Sequence, residues 1–264
     1  MMKQIPSKKQ NAVKINAKPL LAIMVCIVLT YSACRKDTAP SNTPQAVATP
    51  ELGGQVAVNL AQSLAGNFGG VNLMDGVDSV SLAGHLGPHK LATVNTLCGF
   101  FTDSLVNYNS QSGDTTNHTG GNLTFYFNCQ DGQSTGYTAY DSLNTVRNTP
   151  SGSHQYYVKQ YYTIKSLDAQ HQLTGVNGDI YFYDISILKC GCTTIENVNY
   201  VLKDLTINTC GCSKDILSGT ATFKAYGKNW SATGTVTFLG NHMADVLING
   251  ITYHVNIKTG KVTT

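Results

Sequence analysis

The sequence predicts an all-β fold, an antiparallel meander of about nine or ten strands forming a sandwich or an open barrel, with one short N-terminal helix. After residue 66, apolar and polar residues alternate with a period of two in segments rich in Thr, Tyr, Val and Ile. Glutamate, which favours helices, occurs only at Glu51 and Glu196. Clusters of Gly, Asn, Asp and Pro separate these segments, so short turns are expected to join neighbouring strands.

The one predicted helix lies near the start of the folded part of the chain. Val56, Leu60 and Leu64 recur every four residues, which places their side chains on one face of a helix over residues 54–65. Gly66 follows directly, and glycine is a common signal for the end of a helix. The pattern therefore predicts one amphipathic helix.

The alternating segments that follow are the predicted strands of the meander. Each is bounded by turn-forming residues, and their alternation indicates one apolar and one wet face. The clearest upstream segments are residues 123–129, 137–146, 155–167, 179–188 and 198–207.

Near the C-terminus the register of one hairpin can be predicted. With residues 227–228 as a two-residue turn, Ala221 would lie opposite Gly234, and Trp230 would lie on the same apolar face. Thr222 would then face water. We expect Trp230 to belong to the core.

The last hairpin is predicted from Asn249-Gly250, a pair that favours a type I′ turn. This turn would place Ile248 opposite Ile251. A loop over residues 240–242 would join the two hairpins and bring Ala244 opposite Phe238. A slip of one residue would turn the apolar face outward, so the register is well specified.

The first 33 residues indicate export. The leader contains five lysines and no acidic residue, and residues 20–33 form an apolar run that is too short for an ordinary transmembrane helix. The run ends in Tyr31-Ser32-Ala33-Cys34, which resembles the lipobox of bacterial lipoproteins. The resemblance implies that residues 1–33 are a signal peptide and that Cys34 carries the lipid, with palmitate among its acyl chains. Tyr31 stands where the lipobox usually has an aliphatic residue, so an uncleaved anchor is the alternative.

The segment after the leader is predicted to be a tether. Residues 34–51 comprise the lipidated Cys34 and a flexible stretch with three prolines, and residues 52–264 have the length of a single all-β domain. Arg35-Lys36-Asp37 resembles the surface-export signals of Bacteroidota lipoproteins, and the start of a solvated linker explains it equally well. The protein is therefore expected to be lipid-anchored in the outer membrane, either periplasmic or surface-exposed.

The charge of the predicted mature chain argues against a nucleic-acid partner. The leader holds 5 of the 18 Lys and Arg residues and none of the 15 Asp and Glu residues, which leaves 13 basic against 15 acidic residues, a formal charge of −2. The basic character of the whole sequence thus belongs to the leader. The expected partners are the membrane, through the lipid, and a glycan or protein ligand.

Segments of the C-terminal hairpins carry a second resemblance. Residues 218–223 (Ser-Gly-Thr-Ala-Thr-Phe), 233–238 (Thr-Gly-Thr-Val-Thr-Phe), 246–255 (Val-Leu-Ile-Asn-Gly-Ile-Thr-Tyr-His-Val) and 258–262 look like the closing hairpins of uncharacterised all-β lipoproteins from Bacteroidota. The match covers the signal and roughly the last quarter of the chain. It implies export and an all-β fold, and it assigns no catalytic residue.

The cysteines outside the leader and lipobox are even in number, which in an exported chain points to disulfides. Cys98 with Cys129 is the default pair. The others form two Cys-Gly-Cys motifs, so four thiolates could instead bind zinc, although spacing by a single residue suits zinc poorly. A straight strand over residues 195–209 would hold the motifs too far apart, so either the chain doubles back or each cysteine has another partner. The disulfide candidates are Cys98, Cys129, Cys190, Cys192, Cys210 and Cys212.

Catalytic and metal-binding patterns are weak. Residues 132–136 match the Gly-x-Ser-x-Gly pattern of hydrolases, but they lie between two strands and are expected to form a hairpin loop. His85 and His89, with Asp75 and Asp78 nearby, could collect a metal, and a polar loop explains them equally well. We predict no catalytic residue, no metal and no cofactor.

Tyrosines crowd two neighbouring predicted strands, where some of the rings must be exposed. The proposed ligand-contact surface comprises Tyr157, Tyr161, Tyr181 and Tyr183, and Tyr156 and Tyr162 lie beside it in sequence. Two functions remain open: a non-catalytic binding or scaffolding lipoprotein at the cell surface, which we favour, and an exported hydrolase acting on a polymer such as a glycan. A deep pocket with two convergent aspartates or a histidine with a metal would favour the hydrolase.

Overall fold

The structure is a computed structural model that describes residues 45–46, 48–77, 79–82, 89–93, 98–99, 101–188, 193–211, 214–227 and 229–263. All of these residues belong to one compact unit, residues 43–264. Among them, no helix has both the length and the apolar character needed to cross a bilayer.

Two short helices and fourteen strands make up the described chain. The α-helix α1 spans Pro50–Leu64, and a short 3-10 helix spans Leu73–Asp75. The strands are β1 Gln45–Ala46, β2 Ser79–Leu82, β3 His89–Thr93, β4 Phe101–Ser112, β5 Thr115–Gln130, β6 Gln133–Thr149, β7 Gly152–Ser166, β8 Leu173–Leu188, β9 Thr193–Asn208, β10 Asp215–Gly227, β11 Trp230–Gly240, β12 Met243–Ile248, β13 Ile251–Asn256 and β14 Val262–Thr263.

One large antiparallel sheet dominates the fold. Strands β4 to β14 follow each other across it in sequence order, so eleven strands form a meander that does not close into a barrel. The short strand β1 pairs in parallel with the start of β11, at Trp230 and Ser231, and β2 and β3 form a separate hairpin. The predicted all-β meander with one N-terminal helix is confirmed. Most of its strands are longer than predicted, because polar residues beside the turns continue the hydrogen-bonded ladders.

Helix α1 begins four residues before its predicted start because of its capping residues. The Thr49 hydroxyl accepts a hydrogen bond from the backbone N–H of Leu52 at 3.2 Å. Pro50 occupies the first turn, where its missing N–H costs nothing, and Glu51 adds a favourable charge there. The helix then ends at Leu64, one residue before its predicted end.

The core lies between α1 and one face of the sheet, which we call the inner face. Val56, Leu60 and Leu64 of the helix are fully buried there, as the sequence pattern predicts. The Tyr200 hydroxyl donates to the backbone oxygen of Val56 at 2.9 Å, and Gly53 leaves room for the Tyr253 ring. Burial of one large apolar side chain contributes about 1.5 to 3 kcal/mol, so this row of contacts holds the helix on the sheet. Trp230 packs against the same core and is partly buried.

The predicted register of the last hairpin is confirmed. Ile248 lies opposite Ile251 across the Asn249-Gly250 turn, whose two residues both have positive φ, as a type I′ turn requires. Phe238 lies opposite Ala244 in the preceding strand pair, also as predicted.

The predicted register of the β10–β11 hairpin is wrong by two residues. Gly227 ends β10 opposite Trp230, so Ala221 pairs with Val236 and not with Gly234. A side chain at position 227 would overlap the Trp230 indole, and glycine lets the strand continue beneath the ring. A shift of two residues preserves the side of the sheet, so Ala221 is buried and Thr222 is exposed, as predicted.

Candidate functional site

Five tyrosines on the neighbouring strands β6, β7 and β8 share the outer face of the sheet, the face opposite α1. They are Tyr140 on β6, Tyr157 and Tyr161 on β7, and Tyr181 and Tyr183 on β8, and we call them the tyrosine surface. Four of them are the residues proposed from the sequence. Because side chains alternate along a strand, these tyrosines point to the opposite side of the sheet from the residues next to them in sequence.

Two tyrosines of the same crowded segment point to the inner face instead. Tyr162 is fully buried. Tyr156 is partly buried, and its ring centroid lies 5.2 Å from that of Phe68 and 6.0 Å from that of Phe182. These two rings are part of the core and do not contribute to a binding surface.

The strand register brings the rings of the tyrosine surface together. Tyr157 lies directly opposite Tyr183, and Tyr161 lies between Tyr140 on one side and Asp179 on the other. The β-carbons of directly opposed residues are about 4.5 to 5.5 Å apart, so these side chains are neighbours. Residues distant in sequence thereby form one patch.

Polar neighbours orient two of the rings. The hydroxyls of Tyr157 and Ser142 are hydrogen-bonded at 3.2 Å, and the Asn197 amide donates to the Tyr181 hydroxyl at 3.2 Å. The rings of Tyr157 and Tyr181 meet edge to face, with centroids 6.2 Å apart. These contacts therefore fix the orientations of the two rings in the absence of a ligand.

Lys159 adds a positive charge to this patch. Its ammonium nitrogen lies 5.5 Å from the centroid of the Tyr157 ring, within the range of a cation–π contact. The hydrogen bond with Ser142 lowers the pKa of Tyr157, and Lys159 acts in the same direction. Interaction with Tyr157 raises the pKa of Lys159, so this side chain remains charged at neutral pH.

A shallow groove of about 210 Å³ runs across the patch. Tyr161 and Tyr140 are 49% and 43% exposed, so much of each ring is open to solvent. The charged residues among those lining the groove are Lys159 and Asp179, and Asn199 contributes an amide. The groove thus combines exposed aromatic rings with hydrogen-bonding groups and balanced charge.

Sequence reasoning missed Tyr140. The strand that carries it was predicted, and its position next to Ser142 in the alternation indicates the wet face. Its place beside Tyr161 depends on the β6–β7 register, which follows from the turn between those strands. Two further tyrosines of the outer face, Tyr126 and Tyr226, are also exposed but do not line the groove.

Beneath the groove, on the inner face of β6 and β7, lies a buried polar pair. Asp141 faces Gln160 across the two strands, and both side chains accept the backbone N–H of Val71 at 3.2 Å. The Gln160 amide also donates to the backbone oxygen of Ser63 at 3.2 Å. The pair therefore ties the end of α1 and the loop that follows it to the middle of the sheet.

Asp141 is fully buried, which penalises its charged form. Burial raises the pKa of Asp141 well above its ordinary value, and backbone hydrogen bonds at Val71 and Gln160 offset this only in part. One carboxyl oxygen of Asp141 and the hydroxyl of Tyr162 are buried without a hydrogen-bond partner among the described residues. The neutral acid is thus the form that this position favours.

The Gly-x-Ser-x-Gly segment was predicted to form a hairpin loop, but only Gly132 lies in the turn, and residues 133–136 begin strand β6. Asp131 and Gly132 make the turn between β5 and β6, both with positive φ. Ser134 lies within β6, is buried, and points its hydroxyl at the backbone oxygen of Gly136 at 3.5 Å. It does not have the exposed position of a hydrolase nucleophile.

The residues considered for a metal site are only partly described. Asp75 forms an ion pair with Lys214 at 2.8 Å. His85 and Asp78 lie outside the described residues, and His89 belongs to β3. Within the described part of the chain, no group of three or more His, Cys, Asp or Glu side chains could hold a metal ion.

One predicted disulfide is present. Cys98 and Cys129 are bonded, with their α-carbons 5.4 Å apart. Cys210 is exposed and has a free thiol. Cys190, Cys192 and Cys212 lie outside the described residues, so their pairing stays a prediction.

Strand β9 lies between the two Cys-Gly-Cys motifs in the sequence. It runs from Thr193 to Asn208, paired along its length with β8, so the chain does not double back within residues 193–208.

A comparison of the chain with protein-family models, curated proteins and solved structures finds no match. The tyrosine surface and its groove therefore supply the structural argument for function.

Proposed function

We propose that this chain is an exported lipoprotein, anchored in the outer membrane through Cys34, whose domain binds a ligand on the tyrosine surface without catalysis. The observation that carries the binding role is the groove itself, with exposed rings of Tyr140 and Tyr161 on an open sheet face. The basic leader, the short apolar run and the small residues before Cys34 support export and anchoring.

The groove suits binding better than hydrolysis. Tyrosine rings provide a large contact area at low entropic cost, and in this groove a hydrogen bond from Asn197 already orients Tyr181. Hydrolysis of a glycosidic bond ordinarily needs two carboxyl groups on opposite sides of the scissile bond. The residues lining this groove include one carboxylate, Asp179.

The lipid anchor is tested by metabolic labelling with a palmitate analogue. We expect the protein to be labelled and Cys34→Ala to abolish the label, because the thioether forms at this sulfur. The matched control is Cys26→Ala, which changes the other cysteine of the leader and should leave the label intact. Equal labelling of Cys34→Ala and the parent protein would disprove lipidation at Cys34.

The binding role is tested by photo-crosslinking in cells that make the protein. A p-benzoylphenylalanine in place of Tyr161 should form an adduct on irradiation, since that side chain sits in the groove. The control is the same substitution at Thr252, which is exposed on the outer face at β13, four strands away from β9 at the border of the groove. Equal adduct formation at the two positions, or none at either, would overturn the proposed binding role.

A further inference from the structure

We propose that the ligand of the tyrosine surface is an uncharged polysaccharide chain. This inference rests on the proposed function and specifies the chemistry of the ligand. Three properties of the groove support it: its exposed aromatic rings, its mixed hydrogen-bonding groups and its charge balance.

The exposed rings match the apolar faces of sugars. A pyranose ring presents C–H groups with partial positive charge on its faces, and the face of a tyrosine ring is negative. Tyr140 and Tyr161 stand side by side on neighbouring strands, with much of each ring open to solvent. Two adjacent rings of this kind can support consecutive sugars of one chain.

The polar groups of the groove match the rim of a sugar, where hydroxyls both donate and accept hydrogen bonds. Lys159 donates, Asp179 accepts, and the Asn199 amide does both. Tyr161 is flanked by Asp179 in one cross-strand row, and Lys159 lies opposite Tyr181 in the next. Hydroxyl groups above the rings would therefore find partners of both kinds.

The charge of the groove argues for a neutral ligand. Lys159 and Asp179 balance each other, whereas nucleic acids and other polyanions are bound in grooves with an excess of positive charge. A stable protein partner ordinarily covers about 800 Å² on each side with an apolar centre. A shallow groove of about 210 Å³ is small beside such an interface and fits a single chain of sugars better.

The decisive experiment determines the composition of the adduct that p-benzoylphenylalanine forms at position 161. After complete proteolysis of the adduct, we expect the peptide that carries position 161 to remain joined to material that releases neutral sugars on acid hydrolysis. A second peptide joined to that one would show a protein ligand, and material that releases mainly uronic acids would show an acidic glycan. Either result would overturn this inference while the proposed binding role stands, whereas no adduct would overturn both.

A second measurement tests which side chains recognise the sugar. The detergent-solubilised full chain is run in native gels containing the neutral polysaccharide that the adduct identifies. Tyr161→Ala and Tyr140→Ala should each weaken binding at least about tenfold, as loss of a central aromatic contact does. Tyr161→Phe keeps the ring and should remain within about threefold of the parent protein.

Exposed tyrosines outside the groove provide the matched controls. Tyr126→Ala and Tyr226→Ala remove rings of similar exposure from the same face and should leave binding within about twofold. Equal loss in the groove variants and in these controls would overturn the inference, because binding would then not depend on the groove.

Discussion

Ala221→Asp is expected to lower the free energy of unfolding by about 3 to 5 kcal/mol, because it places a carboxylate in the core without a partner. Ala221 is fully buried on the inner face, opposite Leu202 on β9 and Val236 on β11. These apolar neighbours offer neither a positive charge nor a hydrogen-bond donor. Urea denaturation of the variant and the parent protein measures the loss.

The neighbouring residue provides a matched control for this substitution. Thr222 is exposed on the outer face, between Val201 and Thr235, where water can solvate a charge. Thr222→Asp should therefore cost under about 1 kcal/mol. Equal destabilisation by the two variants would show that the assigned faces of β10 are wrong.

Asp141→Asn is expected to stabilise the protein at neutral pH and to reduce the fall in its stability with rising pH. Burial raises the pKa of Asp141 in the folded chain, whereas the unfolded chain has the ordinary value of about 3.9. Between these two values the folded state binds more protons at this site than the unfolded state. The free energy of unfolding therefore falls as the pH rises through this window.

Asparagine keeps the shape of the side chain and its acceptor for the backbone N–H of Val71, but its amide does not ionise. Melting temperatures of the variant and the parent protein should converge below about pH 4 and diverge as the pH rises. Asp179→Asn, on the exposed side of the same sheet, is the control and should not show this divergence. A variant less stable than the parent protein by the same amount at every pH would contradict the expectation.

The local parts of the fold could be predicted from the sequence. Asn249-Gly250 dictates a turn with positive φ at both residues, and this turn alone sets the pairing of Ile248 with Ile251. The alternation in β10 likewise identifies the buried and exposed faces. The position of the preceding turn was wrong because Gly227 was assigned to it, whereas the contact that keeps Gly227 in the strand comes from Trp230, across the hairpin.

Long-range features of the site could not be predicted in the same way. The alternation of β7 and β8 identified four residues of the tyrosine surface, since it depends only on each strand. Adding Tyr140 required the register between β6 and β7. The pairing of Asp141 with Gln160 required the same register. Their shared contact with Val71 required the path of the loop after α1, for which the sequence has no periodic signal.

The position of α1 has a consequence for the order in which the fold is completed. Each hairpin of the meander can form from residues that are close in sequence, as soon as both of its strands are available. The helix is different, because Gly53 and Gly54 at its start lie against Tyr253 and Val262, in the last two strands. The start of α1 can therefore reach its final packing only when the last two strands are present. Completion of this part of the core depends on both ends of the domain.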